Sequence, residues 1–329
     1  MMNKINYNYK SVFRDDINEF LKIKEVTLSS ITLFGYSSIL KSFDLWCLNN
    51  NITSNVLTFE IINNWIMDGC ETKSHKVSVI RELAKNMNNY TNGNFIMPKK
   101  FYKNNVKHIP YIFSDDEILK FFNFLSTLKN SRGFNYRKET FNLIFELLIF
   151  TGARKSEILN LKITDIDFKN NLIVINHGKN DIQRELLIDN ALSKKLKKYN
   201  DLILYKDEND YFFCNIHRNA QERTRVSETS LLKIFRKGLS SINTPYKNKH
   251  EGPRIHDFRF TFIVKSIQKL VNNNKDLNVY LPILSKYVGH TTFQDTLYYF
   301  KPKEVIFSKD NYKHNTLVPN LLEEEFYEE

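Results

Sequence analysis

Along the N-terminal part of the chain, apolar side chains return every third or fourth position. The pattern opens over residues 15–23 and is regular over 33–48, where Tyr36, Leu40, Phe43 and Cys47 share one face of a helix. Thr58 is placed to cap a further helix that carries Ile61, Ile62, Trp65 and Ile66 on its apolar side. Val77, Ile80, Leu83, Ala84 and Met87 continue the period. Residues 1–95 are therefore expected to form a small all-helical domain with its aromatic rings in the core. The pattern then stops. Residues 96–111 mix prolines, asparagines and cations, with Lys99, Lys100, Lys103 and Lys107 between Pro98 and Pro110. That composition predicts an extended basic connector, and the four lysines are candidate contacts for a phosphate backbone.

Periodicity resumes at Ser114-Asp-Asp-Glu117, which has the form of a capping box and opens a helix bearing Ile118, Phe121, Phe122 and Leu125. A longer helix is expected over 138–150, broken at Thr151-Gly152, with a short helix over 154–161. Residues 172–176 and 184–188 are β-branched and apolar runs on either side of Gly178-Lys179-Asn180-Asp181, which predicts a hairpin. Residues 211–214 are expected to add a third strand. Helices should follow over 190–205, 227–241, 256–271, 280–288 and 293–300. The expected fold is mainly α with a small β-sheet, an α+β domain over 112–315 following the helical one. The acidic tail, 316–329, places Val318, Leu322 and Phe326 on one helical face and is expected to dock on a protein surface, its own or a neighbour's.

Composition narrows the class. At 329 residues the chain is long enough for two cores, and 42% hydrophobic residues are inconsistent with a disordered chain. A formal charge of +11 favours a polyanionic partner, most simply nucleic acid. Cys47, Cys70 and Cys214 are too widely spaced for a disulfide framework or a zinc ribbon and fit a reducing, cytoplasmic setting. The polar first ten residues do not read as a signal peptide. The longest apolar run, 141–150, contains Glu146 and is too short to cross a bilayer, so no membrane partner is expected. Glycine is scarce and no Gly-rich phosphate loop occurs, so nucleotide hydrolysis is not expected.

The candidate chemistry lies in the second half. Attack on a phosphodiester loads negative charge onto two non-bridging oxygens, and a pair of planar, permanently charged guanidiniums can clamp both. A tyrosine hydroxyl, with an ordinary pKa of about 10, is a nucleophile that nearby cations activate. A lysine can protonate the leaving oxygen, and histidines can take the tyrosine proton or donate to phosphate. These residue types recur here as Thr151-Gly-Ala-Arg154-Lys-Ser-Glu157-Ile, the Gly-Lys hairpin, His256-Asp-Phe-Arg259, Gly289-His290 and Tyr298-Tyr299.

In that order, with the second tyrosine nine residues beyond the histidine (299 − 290 = 9), the motifs resemble the tyrosine recombinases, or phage-type integrases. The resemblance covers residues 112–305, and the helical segment before it is similar to the family's SAM-like core-binding domain. It implies Arg154, Lys179, His256, Arg259 and His290 as catalytic residues and Tyr299 as nucleophile, with Glu157 supporting the fold. It leaves the roles of His256 and His290 undivided. The implied activity is site-specific cutting and rejoining of double-stranded DNA through a 3′-phosphotyrosyl link, by a homotetramer on paired sites and without a cofactor. Phe260 stands where the family commonly has a histidine, and residues 1–12 are too few for a separate arm-binding domain, as in the shorter, Xer-like members. Two other readings use the same scaffold: an inactive DNA-binding regulator, and a tyrosine-based topoisomerase or resolvase.

Overall fold

The computed structural model describes residues 8–68, 73–99, 101–102, 110–130, 136–176, 183–203, 207, 210–215, 224–244 and 252–290. The chain divides into two compact units, Met1–Lys107 and His108–Glu329.

In the first unit, α1 (Arg14–Thr27), α2 (Ser30–Asn49), α3 (Phe59–Met67) and α4 (Lys73–Met87) enclose Phe13, Phe20, Leu40, Phe43, Trp65 and Ile80. Ser29 and Thr58 cap α2 and α3 by accepting from the backbone N–H of Thr32 and Ile61. Helix α1 runs on past residue 23, where its later apolar residues, Ile23 and Val26, are exposed and leave no periodic trace. Asp44, fully buried, accepts from the backbone of Lys10 and Ser11 and pairs with Lys41, so it fastens the N-terminal segment to α2. The chain after α4 folds back onto this core. Asn94 accepts from the Leu57 N–H at 2.9 Å, Met97 is fully buried, and the Tyr102 hydroxyl donates to Asn63. The first part of the expected connector is thus packed on the first unit.

The second unit is built from α5 (Asp115–Ser126), α6 (Arg137–Thr151), α7 (Lys155–Leu159), β1 (Ile166–Asp167), β2 (Leu172–Ile175), β3 (Arg184–Leu187), α8 (Asn190–Leu202), β4 (Cys214–Asn215), β5 (Thr224–Arg225), α9 (Glu228–Ser241), α10 (His256–Asn272) and α11 (Leu277–Val288). The capping box at Ser114 and Glu117 is present. Strands β1-β2-β3 form one antiparallel sheet, with Ile173 opposite Leu186 and Ile175 opposite Arg184. Its third strand is β1, not residues 211–214. Phe212 and Phe213 are both buried in the core, so that run does not alternate as a half-buried strand would, and Cys214 instead opens a separate pair with β5. Helix α11 starts earlier than residue 280, because Asp276 caps it by accepting from Asn278. The helix expected over 293–300 and the tail lie outside the described residues.

Helix α10 carries apolar side chains on every face, the mark of a helix enclosed by the rest of its domain. Phe258 stacks on Phe113 at 4.5 Å and lies edge-on to Phe121, Phe145 and Phe235 in the larger core. Phe260, Phe262, Ile263, Val264 and Ile267 pack instead with Leu281, Leu284 and Val288 of α11. The polar residues threaded between are tied down. Thr261 accepts from the Phe113 N–H and donates to the Asp257 carbonyl, and Lys265 pairs with Asp115.

Candidate active site

Two glycines terminate the helices that lead into the site. At the end of α6 the Thr151 hydroxyl donates to the Leu147 carbonyl at 2.6 Å and accepts from the Ala153 N–H. Gly152 then takes a left-handed conformation (φ +63°), and a Cβ there would stand 2.5 Å from the Phe262 ring. Gly289 ends α11 in the same way, at φ +70°, where a Cβ would come 2.9 Å from Nη1 of Arg184. These two turns deliver Arg154 to the mouth of α7 and His290 to the end of α11.

The arginines are strapped across the two turns. Arg154 Nη2 donates to the Gly289 carbonyl at 2.8 Å, while Arg259 Nη1 donates to the Gly152 carbonyl at 2.9 Å. Each guanidinium therefore rests on a helix C-terminus, where the partial negative charge of the carbonyls favours a cation. Arg259 is almost fully buried on α10, one turn beyond His256, whereas the Arg154 side chain is 21% exposed.

Beneath Arg154 lies Glu157. It accepts from the Arg154 backbone at 2.7 Å and from Arg154 Nη1 at 2.9 Å. Arg184, on β3, holds both carboxylate oxygens through Nη1 and Nη2 at 2.8 and 2.7 Å, and its Nε donates to the Tyr287 carbonyl at 3.0 Å. Burial disfavours the Glu157 carboxylate, but the bonds and charge of Arg184, joined by those of Arg154, outweigh it and hold the carboxyl at about 2. The cluster keeps an excess of positive charge.

His256 opens α10 with one face toward solvent. The protein packed behind it, and then the Arg259 and Arg154 guanidiniums, push its imidazole down to about 4, so it is neutral at pH 7. His290 is half-buried, and its backbone N–H donates to the Ser285 carbonyl at 3.0 Å.

Four of the six residues expected to be catalytic, Arg154, His256, Arg259 and His290, thus gather on the α6–α7 turn, the start of α10 and the end of α11. Lys179, Tyr298 and Tyr299 lie outside the described residues, as do Lys100, Lys103 and Lys107, while Lys99 is exposed on the first unit. No group of three or more His, Cys, Asp or Glu able to hold a metal ion occurs among the described residues. Arg184 is absent from the sequence expectations. The signal for it was present in the alternation of β3, which puts Arg184 on the buried side with Leu186.

Residues 112–304 match the phage integrase family. A probable integrase/recombinase protein of Methanocaldococcus jannaschii is 29% identical over 163 residues, 49% of this chain and 46% of that protein. The matched chain therefore spans about half the length of that relative. A probable integrase/recombinase of Acholeplasma phage L2 is 28% identical over 240 residues, covering 72% of this chain and 73% of the relative. Among solved structures, the XerH site-specific recombinase bound to its difH substrate in a pre-cleavage complex superposes with a TM-score of 0.64 at 18% identity, over 88% of this chain and 93% of that one. At that identity the likeness is one of fold. With more than half its length matched, across every element that builds the arginine cluster, the chain belongs to the phage integrase family.

Proposed function

We propose that this chain is a tyrosine-type, site-specific DNA recombinase that cuts and rejoins strands through a 3′-phosphotyrosyl intermediate. The observation that carries the reading is the cross-strapped pair of guanidiniums, Arg154 and Arg259, with a neutral imidazole at His256 beside them. A scissile phosphate seated on the two arginines would have both non-bridging oxygens matched by fixed donors, where charge accumulates during attack. Its negative charge would also offset the cations that hold His256 down. The imidazole would then become a better base on arrival of the substrate.

In this mechanism the Tyr299 hydroxyl gives its proton to an imidazole and attacks phosphorus. The P–O5′ bond breaks, and the departing oxygen takes a proton from Lys179. A 5′ hydroxyl and the tyrosyl phosphodiester remain. Because one phosphodiester replaces another, attack by a second 5′ hydroxyl reverses the step with no outside energy source. Double-stranded DNA is the partner, with four copies assembled on paired sites in the cytoplasm. The lambda integrase structure of similar fold is bound to DNA, which supports DNA as the partner.

The test is covalent capture on a nicked duplex that carries the sequence the protein protects. Wild type should leave a DNA adduct on a denaturing gel, and Tyr299→Phe, which loses one oxygen and no charge, should bind equally and leave none. An adduct retained by Tyr299→Phe but lost by Tyr298→Phe would move the nucleophile. No adduct from wild type would overturn the enzyme reading in favour of a DNA-binding regulator.

A further inference from the structure

Arg154 has two acceptors for its guanidinium, Oε1 of Glu157 and the carbonyl of Gly289. Both are set by one residue that faces away from solvent. Arg184, its side chain 6% exposed, takes both oxygens of Glu157 in a two-pronged bond. With Nε it ties down the Tyr287 carbonyl, two residues before Gly289, and its Nη1 fills the space that a side chain at 289 would need. The partners come from three places in the fold: Glu157 from α7, Tyr287 from the last turn of α11, and Arg184 itself from β3. We infer that Arg184 is a positioning residue for DNA cleavage, one that never meets the phosphate but fixes the pose of Arg154 by holding Glu157 and bracing the end of α11 that carries Gly289.

The geometry assigns this to an arginine specifically. A planar fork is required to span two carboxylate oxygens while a third N–H reaches a carbonyl, and a lysine ammonium can satisfy only part of that set. With the fork lost, Glu157 is free to rotate and Arg154 to follow it. A displacement of about 1 Å in a phosphate-binding group can cost about 10²-fold in rate. Arg184 makes no direct demand on the substrate, so the loss should fall on the rate and not on affinity.

The inference rests on the recombinase reading, and the experiment separates the two. Single-turnover cleavage of the nicked duplex is measured for wild type, Arg184→Lys, Arg154→Ala and the double variant, with DNA affinity and melting temperature recorded for each. Arg184→Lys keeps a cation beside Glu157 and should bind DNA and melt close to wild type, while cleaving about 10²-fold more slowly. In the Arg154→Ala background it should cost nothing more, because both changes remove the same interaction. A residue with only a structural role would lower the melting temperature and multiply with Arg154→Ala. That result, or full-rate cleavage by Arg184→Lys, overturns the inference. Should Arg184→Lys fail to fold, Glu157→Gln breaks the relay at its next link and must meet the same two criteria. Absence of any adduct from wild type would instead defeat the recombinase reading itself.

Discussion

Glu157 accepts four hydrogen bonds from two arginines while its side chain is only 2% exposed. Such a carboxylate couples the clamp to acid stability. Its folded pKa lies below the ordinary value, so the fold favours the ionised form. The stabilisation is present above the ordinary 4.5 and is lost as pH falls from there toward about 2. The size is about 3 kcal/mol. His256 acts in the same sense over a higher window, from 6.5 down to about 4, since the fold disfavours its charged form. In urea titrations across pH, wild type should lose stability more steeply between 4.5 and 2 than Glu157→Gln; parallel curves would show that the arginines do not hold the charge. At this scale the sequence was legible where chemistry keeps a fixed local spacing. Arg154, His256, Arg259 and His290 sit in short motifs, whereas Arg184 finds its partners 27 and 103 positions away, and its only local mark is a buried place in the alternation of β3.

Elements place these residues because helices end abruptly beside them. The αL turns at Gly152 and Gly289 reverse the chain within one residue and leave each carbonyl facing a guanidinium. Gly152→Ala should therefore destabilise the second unit twice over, through a left-handed alanine and through displacement of the Phe262 ring 2.5 Å away. Together these cost at least about 2 kcal/mol, read as a fall in melting temperature accompanied by slower cleavage. A variant as stable as wild type would mean the turn can be rebuilt without glycine. The helices were legible by their period and caps, as at Ser114 and Thr58. The third strand of the sheet was not. β1 has two residues, too short for a period, and the adjacent Phe212 and Phe213 both serve the core and mimic an apolar strand.

At the scale of the whole molecule, a charge of +11 spread over two units with separate cores would make the proposed DNA binding a matter of many phosphate contacts. Affinity should fall steeply with salt. Residues 1–107 and 108–329, prepared apart, should each bind duplex DNA far more weakly than the joined chain, because linkage raises the effective concentration of the second contact. Filter binding across a salt series checks both; a fragment that matches the intact protein would take the other unit out of the DNA contact. The burial of α10 on all sides carries a further consequence. Arg259 and His256 belong to the helix on which the larger core and the α11 cluster both close. Releasing that helix would expose both clusters at once, so the two arginines are expected to align only as the second unit closes. A nascent or damaged chain that has not closed its core holds no aligned pair of arginines. On the proposed reading, the capacity to cut DNA would arrive in one step with the completed fold and disappear with it as abruptly.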